Sequence, residues 1–294
     1  MSAKAIVACG FLLAVSAAAA HGKAPHSHHG TADHEVWTTY PLIEETSAPM
    51  RNRAVFAVRN LLADTAQIYP PTGAGQFPEA FAVRGSDQPY TAPLERRRFV
   101  LNPAGRGNYY WVTARAETAN EVRVASSVRY FTNPGPAPTA MLARAKSELE
   151  IVPAPLPREH WHYREGETWN FLLRFQGRPL AHAPVWLHSE HGSMKLFESD
   201  AQGVAEVTFP RDLPQTESGA AGGHHAQQKA GFVLVAEHQG AGTYYLTAFN
   251  YSYAPAAMRG KSLMAGLGFM LLGGLLATPL LRRSGDKEKG THHV

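Results

Sequence analysis

Cysteine is almost absent from this sequence: Cys9 is the one cysteine among 294 residues. It lies inside an apolar run near the N-terminus that is typical of a cleaved export signal. A mature chain that begins after this run would contain no thiol. Disulfide bonds, thiolate metal sites and a cysteine nucleophile are therefore excluded for it.

The common catalytic motifs are also missing. The chain contains no G-x-S-x-G, no H-E-x-x-H, no phosphate-binding loop and no dinucleotide fingerprint. His34 and Glu35 begin like a zinc-protease motif, but the chain continues with Val-Trp-Thr. We therefore expect a protein that is not an enzyme.

Charge is lacking over the whole of Ser262–Leu281, a run of 20 residues. About 20 apolar residues in a helix cross the hydrocarbon core of a bilayer. Lys261 precedes the run and four basic residues follow it, and the more basic flank stays in the cytoplasm. The sequence thus predicts a single-pass protein of the inner (plasma) membrane. Residues 282–294 would form its cytoplasmic tail, and the N-terminal part would be exported to the periplasm.

The N-terminus agrees with export. Lys4 opens the chain, Ala5–Val15 is an apolar core, and Ala18–Ala20 offers a small-residue cleavage motif. Residues 1–20 are therefore predicted to be a signal peptide. Between residues 21 and 260 basic and acidic residues balance, so the net charge of +4 belongs to the flanking segments. We expect a membrane as a partner, and no nucleic acid.

What the exported part does contain is the pattern of β-structure. In Glu121–Phe131 apolar and polar residues alternate, which predicts a strand that packs on one side. Residues 34–133 are read as a first β-sandwich domain, because no long segment has the helical period. A proline-rich linker at 134–148 then blocks pairing and marks a boundary.

Residues 149–254 are read as a second β-sandwich domain. Thr168–Phe175 alternates, and Asp200–Gly203 predicts a tight turn that needs glycine at its last position. Short strands separated by turns favour an immunoglobulin-like or transthyretin-like sandwich. The predicted fold is all-β, with two such domains and one C-terminal transmembrane helix.

A series of short motifs in the second domain carries a resemblance to a known family. In order they are LEIVP at Leu149–Pro153, GETW at Gly166–Trp169, FQGRPL at Phe175–Leu180, APVWL at Ala183–Leu187 and SDAQGVA at Ser199–Ala205. This order resembles the NikM-like family of periplasmic proteins. Over the wider range 34–254, HEVW and QFPE near residues 34 and 76 fit the family's first half. The resemblance implies a carboxypeptidase-regulatory-like sandwich and a role in nickel and cobalt uptake.

Histidine is unusually frequent, with 15 residues, and thirteen of them lie on the predicted exported side. Neutral imidazole binds Zn, Ni, Co and Cu(II), and clusters of imidazoles chelate. Residues 21–33 have no large apolar side chain and are predicted to be a mobile tail. Its alternative interpretation is a hydrophilic spacer. The candidate ligands in and next to the tail are His21, His26, His28, His29 and His34.

Three histidine pairs follow within the predicted second domain. If residues 160–162 are extended, both histidines share one face and Trp161 packs on the core. At the end of a predicted strand, His188 and His191 would converge with Glu190. The third pair lies in a glycine-rich loop. The alternative interpretation of the first pair is two solvent-facing residues on an edge, and the third pair would bind only weakly or without specificity because its loop is flexible. The candidate ligands are His160, His162, His188, His191, His224 and His225.

Taken together, these patterns predict an exported, membrane-anchored protein that binds a divalent transition metal: Ni, Co, Zn or Cu(II). It would be an accessory to metal uptake or handling, beside a membrane transporter or complex. The alternative is a non-catalytic adaptor or structural subunit of a membrane complex. In that case the sandwiches bind protein and the histidines are spacer.

Overall fold

β-Strands make up nearly all of the regular structure, which confirms the prediction of an all-β fold. A computed structural model of the chain describes residues 36–47, 52–71, 88–103, 108–132, 135, 137–158, 161–214, 229–256 and 270. Within these ranges the short helix Thr139–Ala143 (α1) accompanies sixteen strands. The strands are β1 (Leu42–Glu45), β2 (Ala54–Arg59), β3 (Thr65–Tyr69), β4 (Tyr90–Pro93), β5 (Arg98–Leu101), β6 (Tyr109–Glu117), β7 (Glu121–Tyr130), β8 (Leu149–Pro153), β9 (Tyr163–Arg164), β10 (Thr168–Phe175), β11 (Arg178–Pro179), β12 (Pro184–Ser189), β13 (Met194–Glu198), β14 (Val204–Thr208), β15 (Ala230–Gly240) and β16 (Thr243–Ala254).

Nine of these strands form one continuous sheet, called here the central sheet. Its order is β13-β12-β15-β16-β7-β6-β3-β4, and β9 pairs with the end of β16. β7 and β16 run parallel, with Tyr244 opposite Glu121 and Phe249 opposite Ser126. Strands from both sides of the predicted linker at 134–148 therefore share a sheet. The division into domains at 34–133 and 149–254 stays a prediction.

Two smaller sheets pack on the central sheet. β1, β2 and β5 form one, and β8, β10, β11 and β14 form the other. The side chains of β6 alternate between two cores: Tyr109 and Trp111 pack with residues of β10, whereas Tyr110 and Val112 pack with residues of β2. The small sheets thus lie on opposite faces of the central sheet, because successive side chains of a strand point to opposite faces.

The expectation that β7 packs on one side only is wrong. Val128 joins the core shared with β10, and Ala125 joins the core shared with β2. The hydroxyl groups of Ser126 and Ser127 donate to backbone carbonyls of β16, at 3.1 and 2.9 Å. These serines look in the sequence like part of a solvent-exposed face. Because β7 lies in the middle of the sheet, they instead bind it to β16.

The predicted tight turn at Asp200–Gly203 is confirmed. The Asp200 carboxylate accepts hydrogen bonds from the backbone N–H groups of Gln202 and Val204, at 2.9 and 2.8 Å. Gly203 has φ +76°, and a Cβ there would lie 2.7 Å from the carbonyl oxygen of Leu173. Both the backbone conformation and the close approach require glycine.

A buried ion pair attaches the segment around α1 to the second small sheet. The Arg174 guanidinium pairs with the Glu150 carboxylate, and their side chains are only 8% and 3% exposed. The same guanidinium donates to three carbonyls at the end of α1, and those of Leu142 and Arg144 also accept from Lys146 Nζ. These carbonyls belong to Leu142, Ala143 and Arg144.

The targeting predictions lie outside the described residues. These are the signal peptide at 1–20, the histidine tail at 21–33, the cytoplasmic tail at 282–294 and, except for Met270, the span at 262–281. Among the residues that the structure describes, no helix has both the length and the apolar character needed to cross a membrane.

Candidate metal centre

Three of the predicted histidine ligands fall within the described part of the chain: His162, His188 and His191. The contacts of these three residues therefore show which of the predicted ligands could act together. The predicted ligands outside the described residues are His21, His26, His28, His29, His34, His160, His224 and His225.

His188 lies on β12 and faces away from the core that the central sheet shares with β10. Its ring meets the ring of Tyr40 edge-on, with 4.8 Å between the centroids. Its Nε2 is buried and has no hydrogen-bond partner among the described residues. Burial lowers the pKa of this imidazole from its ordinary value. His188 is therefore neutral at pH 7, the form that binds metals, but its Nε2 is shielded from solvent.

Glu190 does not complete a three-ligand set with the two histidines. Its carboxylate accepts a hydrogen bond from the backbone N–H of Gly231 at 2.7 Å. The Glu190 N–H donates in turn to the Gly231 carbonyl at 2.9 Å, so the residue extends the pairing of β12 with β15. Within the described ranges, no three His, Cys, Asp or Glu side chains form a group able to hold a metal ion.

The carboxylate that interacts with His191 belongs to Asp212, in the segment after β14. It accepts hydrogen bonds from the Ser189 hydroxyl, at 2.5 Å, and from the Tyr253 hydroxyl. Burial would raise the pKa of Asp212. Hydrogen bonds from Ser189, Ser193 and Tyr253, together with the charge of His191, nevertheless hold this pKa below its ordinary value. Asp212 is therefore ionised at neutral pH, and the His191 imidazole whose charge acts on it is exposed.

A histidine and a carboxylate are in direct contact at the other end of the β12–β13 hairpin. His182 Nδ1 is 3.2 Å from a Glu198 carboxylate oxygen, and both side chains are about two-thirds exposed. Pro184 pairs with Glu198 at this end, whereas His188 pairs with Met194 at the opposite end. The fold therefore separates His182 from the group around His191.

The predicted placement of Trp161 against the core is wrong. Trp161 is 68% exposed, and its backbone N–H donates to the Arg158 carbonyl in a turn before β9. The core position is taken by Tyr163, which is fully buried against Trp169 and Phe209, at centroid distances of 5.0 and 4.9 Å. Alternating side chains would place Trp161 in the core only if residues 160–162 were extended. The strand begins two residues after Trp161, at Tyr163.

Sequence reasoning missed Asp212. Its partner Ser189 is 23 positions away, and Tyr253 is 41 positions away. The residue lies in a polar, proline-containing segment where an aspartate is unremarkable. No local pattern could identify it, because only the packing of β12, β14 and β16 brings these groups together.

An exposed imidazole and an ionised carboxylate that interact electrostatically match the ligand chemistry of Zn, Ni and Co. Two side chains hold such an ion weakly, because these metals take four or more ligands in proteins. Comparison with models of protein families and with curated proteins gives no match for this chain. The functional argument therefore rests on the site and on the sequence.

Proposed function

We propose that this protein captures a divalent transition metal on the exported side of the inner membrane, as an accessory to metal uptake or handling. The metal is Ni, Co, Zn or Cu(II), and the ligands are neutral imidazoles with carboxylate support. The resemblance to the NikM-like family supports this proposal, as does the absence of catalytic motifs. The role is one of binding rather than catalysis.

The observation that carries the proposal is the electrostatic interaction of His191 with the Asp212 carboxylate. The carboxylate is already ionised and is held by two hydroxyl groups, so binding an ion does not require it to lose a proton. Asp212 also stands twelve positions before His224. A loop of twelve residues is long enough for its two ends to lie close together. We therefore propose His224 and His225 as further ligands.

The rest of the proposal concerns anchoring. The 262–281 segment crosses the bilayer once, residues 282–294 are cytoplasmic, and the two parts 34–133 and 149–254 are immunoglobulin-like or transthyretin-like sandwiches. The histidine tail at 21–33 adds low-selectivity capture. Anchoring keeps the bound ion close to the membrane and to a transporter or complex within it.

Calorimetric titration of the purified full chain in detergent tests this proposal. Ni(II), Co(II), Zn(II) and Cu(II) are titrated into the wild type, His191→Ala, Asp212→Asn and the control His182→Ala. Loss of one ligand or its support should weaken binding by about 10-fold or more. The control removes an exposed histidine at the other end of the hairpin and should bind as the wild type does.

A further variant separates the tail from the structured site. Serine replaces the five histidines of the tail and its border, at positions 21, 26, 28, 29 and 34. If binding to this variant is saturable and still depends on His191, the site lies on the sandwich. If no variant differs from the wild type, the proposed site is wrong, even where the chain binds metal through its tail.

A second candidate function, as a protein-binding adaptor, is favoured by the exposed edge of the central sheet. β13 ends the described strand order, and its outer edge pairs with no described strand. Met194 and Leu196 on this strand are 63% and 54% exposed. An apolar edge strand is a surface on which another chain can add a strand.

The two candidates predict opposite results for two variants. Under the adaptor function, Leu196→Lys should release a partner that is cross-linked to the wild-type protein in membranes, and His191→Ala should retain it. Under metal capture, His191→Ala weakens metal binding and Leu196→Lys leaves it unchanged.

A further inference from the structure

The last described residues bring one edge of the fold close to the predicted membrane span. β16 ends at Ala254, and β9 runs parallel beside this end, with Tyr163 opposite Tyr253 and Arg164 opposite Ala254. The Arg164 guanidinium donates to the carbonyl of Pro255 at 3.1 Å. The segment that leads into β9 therefore lies next to the point where the chain leaves the sheet.

The connection from this point to the span is short. Ser262, where the uncharged run begins, lies six positions after Ala256. Fully extended, six residues reach about 20 Å. If residues 262–281 cross a bilayer, the β9 edge is held within that distance of its surface.

Trp161 is the exposed aromatic side chain at this edge. All five tryptophans of the chain are described, and the other four are buried or half-buried. Arg158, which is exposed, and Arg164 flank Trp161 within three positions on either side. Tryptophan with flanking arginine is suited to the headgroup region, because the indole is amphipathic and guanidinium groups pair with phosphate.

We propose that Trp161 inserts into the headgroup region of the bilayer that residues 262–281 cross, with Arg158 and Arg164 against lipid phosphates. This inference rests on the proposed membrane span, but not on metal binding. It gives the ectodomain a second attachment besides the span. The end of β16 then faces the membrane, and the ectodomain is held in one orientation on its surface.

Fluorescence quenching in vesicles tests this contact. The full chain is reconstituted into phosphatidylethanolamine–phosphatidylglycerol vesicles whose acyl chains carry bromine either near the glycerol or near the methyl end. No tryptophan lies between residues 257 and 294, so quenching reports on the ectodomain alone. The variants are Trp161→Phe and the control Trp186→Phe, which removes a half-buried tryptophan of β12.

The expected result is quenching by the shallow bromines in the wild type and in Trp186→Phe, and its loss in Trp161→Phe. Deep bromines should quench less. Equal quenching in all three proteins, or none in the wild type, overturns the proposal. The arginine contact predicts that Arg158→Gln also lowers the quenching, and unchanged quenching in that variant overturns this part.

Two further measurements test the headgroup contact separately from the membrane span and from metal binding. Flotation of the chain with the vesicles after alkaline extraction reports the span by itself. A chain that floats without Trp161-dependent quenching overturns the headgroup contact and leaves the span standing, and a chain that does not float overturns both. Trp161→Phe should bind metal as the wild type does, so the result for metal capture is obtained independently.

Discussion

The side-chain amide of Asn250 makes the two hydrogen bonds that a neighbouring strand would make with the backbone of Ile43. Its Oδ1 accepts from the Ile43 N–H at 2.9 Å, and its Nδ2 donates to the Ile43 carbonyl at 2.9 Å. Ile43 is on β1 and Asn250 is on β16, so one side chain joins a small sheet to the central sheet. Its loss leaves buried backbone groups without partners.

We therefore expect Asn250→Ala to lower the free energy of unfolding by about 1–3 kcal/mol. The measurement is denaturant unfolding of the full chain in detergent. Asn170→Ala is the control, since Asn170 is an exposed asparagine on β10 whose change should cost less than about 0.5 kcal/mol. Equal effects of the two changes would show that the link between Asn250 and Ile43 contributes no stability.

The ion pair between Arg174 and Glu150 should be costly to break. Arg174→Met leaves the buried Glu150 carboxylate without its ion-pair partner and removes the hydrogen bond to the Ala143 carbonyl at the end of α1. The expected loss is about 3–5 kcal/mol. Arg115→Met is the matched control, because Arg115 pairs with Glu117 on the surface and such pairs contribute about 0–1 kcal/mol. Thermal unfolding of both variants compares the two losses, and similar values would contradict the prediction.

Gly203→Ala and Gly242→Ala together separate backbone strain from a steric clash. Both glycines have positive φ, +76° and +83°, so both alanine variants should lose about 1–2 kcal/mol. A Cβ at Gly203 also meets the Leu173 carbonyl at 2.7 Å, whereas at Gly242 nothing lies within 4 Å. Gly203→Ala should thus be the less stable variant, by about 1 kcal/mol or more. Equal melting temperatures of the two variants would show that the turn at Gly203 moves enough to avoid the clash with Leu173.

His188 should make stability depend on pH. Burial lowers the pKa of the folded imidazole, so the unfolded chain binds the proton more readily. Stability is then fully present above the unfolded pKa of about 6.5 and falls as the pH drops below it. His188→Phe keeps a ring beside Tyr40 and should flatten the melting temperature between about pH 5 and 6.5, whereas the exposed control His182→Phe should not. An unchanged slope in His188→Phe would refute this assignment.

The strands that could be predicted from the sequence are those with clean alternation. Thr168–Phe175 has the bounds that its pattern predicts, and the strand predicted at Glu121–Phe131 ends one residue earlier, at Tyr130. β3 and β9 are not predicted by such a pattern. Their pairing comes from neighbours that are distant in the chain.

The candidate site was less accessible to prediction than the fold. His191 is visible as a histidine in a histidine-rich sequence, but nothing local connects it with Asp212. In β7 the serines resemble a solvent-exposed face, yet they bond to carbonyls of a strand more than 120 positions away. Periodicity indicates which residues share one face of a strand. What packs against each face depends on the tertiary fold.

The parallel pairing of β7 with β16 also sets an order of events during synthesis. Glu121 is made long before Tyr244, its partner across the ladder. Until then the edge of β7 that will receive β16 has no strand beside it, and open strand edges invite pairing with other chains. Sheets with such distant pairing fold slowly. The central sheet is therefore completed only when its last strand is available, and premature pairing must be avoided while residues 131–242 are synthesised.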